Sequence, residues 1–186
     1  DIRRARLQVG EQAAVIGGGP IGILIALAAR EAGAQVLVLE INPHRLALAA
    51  ELGLDALHPG EADAVAAVQE RTEGAGAHVV FEVSATEPGI RMMTDLAGPR
   101  GRIVSVGISA APRPVDLHRF FLRELELYGA RVYEAEDFER AIKLAASGAL
   151  PLDRLISNCL PLERVEEAFR TIEAGGDVMK VLVECG

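Results

Sequence analysis

Apolar residues in this chain gather into short unbroken runs instead of alternating with polar ones. Ala-Ala-Val-Ile at 13–16 and Val-Leu-Val-Leu at 36–39 are bounded by polar residues or glycine. Runs of this length suit strands buried on both faces. Strands are predicted over residues 13–16, 35–40, 55–57, 77–83, 102–106 and 125–128. Between them lie helical stretches at 20–32, 43–52, 61–72, 86–96 and 117–123. Gly33, Gly53, the Gly74/Gly76 pair and Gly98-Pro99 stand where the first four stop. Strands alternating with helices imply βαβ units, a parallel sheet and right-handed crossovers that place helices on both faces. After Gly129 the rhythm changes. A helix is predicted over 137–147 with Phe138, Ala141, Ile142 and Ala145 on one face, then a strand over 155–160. A second helix follows over 161–174 with Val165, Ala168, Phe169 and Ile172 as its stripe, and a last strand over 179–183. This tail is read as a separate element.

Composition sharpens that picture. The chain has 186 residues, 50% hydrophobic, with 4% aromatic and no Trp, so its apolar mass is aliphatic. Disorder is excluded. A net charge of −8 supplies no basic surface for a phosphate backbone, so no nucleic-acid partner is expected. Residues 12–29 carry no formal charge over nearly a membrane span, but Gly17-Gly18-Gly19-Pro20 sits inside them and reads as a turn between two buried elements; no membrane association is expected. Cys159 and Cys185 are too few for a disulfide framework and lack metal-ligand spacing, which fits packed thiols in a cytoplasmic protein. Mean hydropathy is +0.23 and the chain starts at Asp1 without a targeting signal. Both suggest a piece of something larger.

The residues that carry chemistry are Gly17, Gly19 and Gly22, a G-x-G-x-x-G set between a strand and a helix. In such a loop the first glycine allows the tight turn, the second lets a pyrophosphate approach the backbone, and the third lets helix and strand pack closely. The helix N-terminus offers free N–H groups and a positive dipole end. Pro20 donates nothing, so Ile21 N–H is the better donor. Glu40 closes the second strand 18 residues past Gly22, near the spacing of about 20 in the dinucleotide fingerprint. A carboxylate there accepts ribose hydroxyls and repels a 2′-phosphate, favouring NAD over NADP. The plain alternative, a turn followed by a solvated acid, does not explain why strand, loop, helix and acid fall in register. Flavoproteins and methyltransferases share such a loop, so the motif alone names no reaction.

Six segments in order carry a more specific signal: VIGGGPIG, VLVLEINPHRLALAAELG, HVVFEVSA, GRIVSVG, DFERAIKLAASGAL and LPLERVEEAFRTIEAGGDVMKVLV. With them the chain resembles the cofactor-binding half of a medium-chain dehydrogenase/reductase of the zinc type, the group of alcohol, sorbitol and threonine dehydrogenases. The resemblance implies a doubly wound α/β Rossmann domain of about six parallel strands over residues 1–130. It also implies a C-terminal α/β tail, 131–186, that packs with a catalytic domain. Gly17, Gly19, Pro20, Ile21 and Gly22 would be the pyrophosphate loop, with Glu40 the ribose acid and Ile41 and Arg45 on the same ribose and adenine side. Ser84 and Ala85 would border the cofactor after the fourth strand, and Val106, Gly107 and Ile108 would lie near the nicotinamide carboxamide.

The chain also departs from the family. Ala85 stands where the family often has Gly, and residues 129–133 match only loosely. The family's zinc ligands belong to an upstream half, while His44, His58, His78 and His118 are scattered here without metal spacing and read as solvated or structural. No residue is therefore assigned to catalysis or to a metal. Arg100 and Arg102 read as solvated turn charges and Phe120-Phe121 as core, beside an edge strand placed to join two subunits. The expectation is an NAD-binding portion of a zinc-dependent dehydrogenase acting on a small alcohol or ketone, cytoplasmic, and homodimeric or homotetrameric. Two alternatives stay open: part of a zinc-free quinone- or enoyl-type reductase using NADPH, and a stand-alone dinucleotide-sensing module.

Overall fold

Each of the six apolar runs before Gly129 becomes a strand, and each pairs in parallel. In the computed structural model, which describes residues 1–186, these are β1 (Gln12–Ile16), β2 (Gln35–Leu39), β3 (Asp55–Leu57), β4 (Ala77–Glu82), β5 (Ala97–Ser105) and β6 (Glu126–Gly129). The sheet order is β3-β2-β1-β4-β5-β6. The chain steps outward from β1 on one side, crosses back, and steps outward on the other. This is the doubly wound order of dinucleotide-binding sheets.

Five helices connect the strands: α1 (Pro20–Glu31), α2 (Pro43–Glu51), α3 (Ala64–Arg71), α4 (Glu87–Leu96) and α5 (Leu117–Arg123). Strand side chains at alternate positions serve opposite faces. Ala14, Ile16, Leu37, Leu39, Val80 and Ile103 join Ala64, Val68, Met93 and Leu96 in one core under α3 and α4. The intervening positions Ala13, Val15, Val38, Val79, Phe81 and Val104 are also buried, as are Ile23, Ala26 and Leu27 of α1. Central strands covered on both sides explain why the runs are continuous.

The chain forms two compact units, Asp1–Tyr133 and Glu134–Gly186. The second contains α6 (Ala135–Ala146), β7 (Ile156–Pro161), α7 (Val165–Ala174) and β8 (Lys180–Glu184), with β7 and β8 paired in parallel. Short 3-10 turns precede β7 and α7. Both predicted apolar stripes exist, but Phe138, Ile142, Phe169 and Ile172 all stay more than half exposed. A two-stranded sheet is too small to cover two helices, and only Leu155, Leu160, Ala168 and Met179 are buried in this unit.

Four local expectations are corrected. Helix α3 starts at Ala64 instead of residue 61 because Asp63 caps it, accepting from Val65 N and Ala66 N at 2.9 and 3.0 Å. Strand β5 starts at Ala97, five residues early. Gly76 and Gly98 come so close that a Cβ on Gly76 would lie 2.8 Å from Gly98 Cα, and a register shift between Ala77 and Val79 absorbs the extra residues. Phe121 is exposed, whereas Phe120 packs on the core. Cys159 and Cys185 are exposed, not packed.

Arg102 is a further correction. Its side chain is only 12% exposed, its Nη2 lies 2.6 Å from Glu11 Oε2, and it also donates to the carbonyls of Ala5, Arg6 and His78. Burial alone would raise the Glu11 carboxyl. Hydrogen bonds from Arg102 and from Gln8 N, with the charges of Arg102 and His78, outweigh that and hold it below the usual carboxylate range. A folded-state value below the unfolded one means that this pair stabilises the fold above the unfolded carboxyl pKa of about 4.3 and is lost as pH falls through the folded value. Urea unfolding followed from neutral to acid pH is expected to show a smaller loss of stability in Glu11→Gln than in the parent chain. Parallel profiles would refute the role given to this pair.

Candidate functional site

The strand order reverses between β1 and β4, and right-handed crossovers from such a pair send the loops at their carboxyl ends to opposite sides of the sheet. Such a switch point opens a crevice. Three glycines shape its first wall. Gly17 has φ +105 and donates from N to Leu39 O at 2.8 Å, and a Cβ on it would meet Ser84 N at 3.1 Å. Gly19 is the N-cap of α1, extended, with Arg45 Nη1 3.7 Å from where its Cβ would be. A Cβ on Gly22 would overlap the carbonyl oxygen of Gly17. The first bond of the α1 ladder runs from Ile23 N to Gly19 O. The amides of Ile21 and Gly22 therefore lie ahead of it, and Pro20 has none to offer.

Glu40 stands just past β2 and is 6% exposed. Its Oε2 accepts from Gly18 N at 2.7 Å, and its Oε1 accepts from Ile41 N and Asn42 N at 2.7 and 2.8 Å. Three backbone donors thus orient the carboxyl group and bind it to the glycine loop, leaving acceptor capacity on Oε2. Arg45 Nη1 is 3.7 Å from that oxygen, and its buried Nε has no partner within the chain. Asn42 Oδ1 caps α2 by accepting from Arg45 N, which brings the guanidinium to the same edge.

The second wall comes from β4 and β5. Ser84 packs on Gly17, and Ala85 holds a left-handed φ of +56. A Cβ on Gly107 would fall 2.6 Å from Ala85 N, so only glycine fits there. Val106 N and Gly107 N both donate to Glu82 O, at 2.8 and 2.9 Å. Ile21, Ile41 and Ile108, which stand beyond the ends of β1, β2 and β5, are 56%, 68% and 84% exposed. Three isoleucines are thus left exposed in the segments that follow β1, β2 and β5.

The structure thus brings Gly17, Gly19, Gly22, Glu40 and Arg45 into one cluster and Ser84, Ala85, Val106 and Gly107 into another, joined by the Gly17–Ser84 contact. Pro20, Ile21, Ile41 and Ile108 flank them in sequence. Sequence reading missed Glu82, whose carboxyl group is buried at the root of the second wall. The available signal was a lone acid inside the apolar run HVVFEV. Chemically the crevice offers amide donors at a helix terminus, an oriented hydroxyl acceptor and a guanidinium. No group of three or more His, Cys, Asp or Glu side chains is arranged to hold a metal ion, and no helix is long and apolar enough to cross a membrane.

The zinc-binding dehydrogenase family matches over residues 20–147, more than half of the chain. The chain belongs to that family. It is 50% identical over 185 residues to 2-dehydro-3-deoxy-L-galactonate 5-dehydrogenase of Pseudoalteromonas atlantica, covering 100% of this chain and 54% of that protein. The crystal structure of 2R,3R-butanediol dehydrogenase from Bacillus subtilis superposes with a TM-score of 0.91 at 30% identity, over 100% of this chain and 54% of the other. A Sinorhizobium meliloti zinc-type structure bound to NADP matches with a TM-score of 0.88 at 29% identity, over 98% and 54%. The chain therefore spans about half the length of the curated relatives it matches. The zinc-type medium-chain resemblance read from six sequence segments is met by this family match, and the doubly wound α/β fold by the superposition.

Proposed function

We propose that this chain is the dinucleotide-binding portion of an NAD-dependent, zinc-dependent dehydrogenase that oxidises a secondary alcohol or polyol. The observation that carries this reading is the meeting of Gly17, Gly19, Gly22, Glu40 and Arg45 at the switch point. Those residues fit a dinucleotide: the close approach at Gly19, the amides of Ile21 and Gly22, and the free capacity on Glu40 Oε2 match pyrophosphate and ribose in turn. Ser84, Ala85, Val106, Gly107 and Ile108 would line the nicotinamide half. When bound, the nicotinamide supplies the hydride acceptor, and this chain's part is to hold and orient it. The residues present do not fit zinc, so no step is assigned to zinc here; its ligands and the substrate pocket would belong to the rest of the protein. Names of the relatives, acting on a sugar acid and a diol, support the substrate class. In this reading residues 131–186 pack with the remaining half, and the enzyme is a cytoplasmic homodimer or homotetramer.

A second reading has one observation in its favour. Arg45 Nη1, 3.7 Å from Glu40 Oε2, partly offsets the charge that would repel a 2′-phosphate. That would suit NADP(H), the cofactor expected of the zinc-free quinone- or enoyl-type reductase. Calorimetric titration separates the two: NAD is expected to bind more tightly than NADP. Tighter NADP binding, or no NAD affinity at about 1 mM, a free energy near −4 kcal/mol, would overturn the proposal.

A further inference from the structure

Glu82 is the last residue of β4 and is 1% exposed. A buried carboxyl group is unfavourable unless its hydrogen bonds are satisfied. Only one of its oxygens is: Oε1 accepts from Ser84 Oγ at 2.6 Å and from Ala85 N at 3.0 Å, while Oε2 has no partner within the chain. An aliphatic residue would pack there at less cost, so what Oε1 holds is the feature to explain.

What Oε1 holds is the turn 84–86. Gly89 N donates to Thr86 Oγ1, which leaves the Thr86 hydroxyl proton for Ser84 Oγ, 2.9 Å away. Thr86 N donates to the same Ser84 Oγ, and the Ser84 proton goes to Glu82. Every donor in the relay points toward the acid. At its centre Ala85 has φ +56, a conformation that L residues adopt reluctantly unless the surroundings impose it. The turn touches both walls of the crevice, through Ser84 on Gly17 and Ala85 on Gly107. Glu82 also holds β5 from behind, its carbonyl accepting from Val106 N and Gly107 N.

We propose that Glu82 is a positioning residue for the nicotinamide side of the crevice. Its carboxyl group pins Ala85 in the left-handed turn and so sets the gap between the pyrophosphate loop and the end of β5. The proposal rests on the dinucleotide reading above.

The test measures NAD affinity, thermal midpoint and Ala85 amide hydrogen exchange in the parent chain, Glu82→Ala, Glu82→Gln, and Glu82→Ala combined with Ala85→Gly. Glu82→Ala is expected to weaken NAD binding by about tenfold, the size of one lost hydrogen bond, and to lower the thermal midpoint as well, because Ala85 N and the Ser84 hydroxyl lose their acceptor. Exchange at Ala85 should quicken. Glu82→Gln, which keeps an acceptor, should stay near the parent, and the double variant should regain affinity because glycine takes a positive φ freely. Parent-like affinity and Ala85 protection in Glu82→Ala would overturn the proposal. Loss of affinity that Ala85→Gly does not restore would do so too. If the parent binds no dinucleotide, the functional reading falls, and Ala85 exchange alone still decides whether Glu82 pins the turn.

Discussion

Gly22→Ala is expected to lower stability by about 3 kcal/mol, the upper part of the range for overpacking, and to abolish dinucleotide binding. Alanine favours a helix over glycine by about 1 kcal/mol, so propensity alone predicts the opposite sign. Sterics decide it. The new methyl would overlap the Gly17 carbonyl oxygen and lie 2.9 Å from its carbon. Both are backbone atoms in the turn between β1 and α1, and no rotamer change can move them. Relief requires α1 to lift from the sheet, and its buried residues Ile23, Ala26 and Leu27 would lift with it. The same shift moves the amides of Ile21 and Gly22. The urea midpoint measures the first effect and NADH fluorescence the second. Gly129→Ala is the control. It has open space and no positive φ, and should fall within about 0.5 kcal/mol of the parent. A Gly22→Ala chain with the parent midpoint would refute this packing account.

Glu40→Ala is expected to reverse or erase the choice between NAD and NADP, raising NADP affinity relative to NAD by about tenfold or more, at least 1.4 kcal/mol. Two causes act together. The acceptor for a ribose hydroxyl disappears, and so does the negative charge facing a 2′-phosphate. Arg45 stays, anchored through its own backbone to Asn42, and loses the carboxylate 3.7 Å from its guanidinium. The change also strands the amides of Gly18, Ile41 and Asn42, so a stability loss of about 2 kcal/mol should accompany it. Titrating both dinucleotides against parent and variant, with unfolding run alongside, separates the two effects. An unchanged affinity ratio would remove Glu40 from cofactor selection.

Much of the fold was legible because buried strands and glycine stops are local signals. All six strands of the first unit and the loop 17–22 followed from runs of apolar residues and from glycine spacing, except that β5 begins five residues before its apolar run. Glu40 was legible by its distance from the loop. Arg102 was not. In sequence it is a charge beside glycine, and only the approach of Glu11, Ala5 and His78 makes it a buried partner. The stripes of α6 and α7 were legible as stripes, but periodicity cannot say whether a neighbour exists to cover them, and Phe138 and Phe169 remain exposed.

By itself, then, the amino-acid order determined the succession of elements, the parallel sheet and the phosphate-type turn. The elements and the turn depend on residues within a few positions of one another, and the parallel pairing follows from the alternation of strands with helices. Tertiary structure decided which distant glycines are obligatory, that Glu40 is tied to Gly18, and that Glu82 stands behind the turn joining Gly17 to Gly107. Those facts depend on strand order and register, which bring the ends of β1, β4 and β5 side by side, and hydrogen bonds and steric contacts act only over a few ångströms.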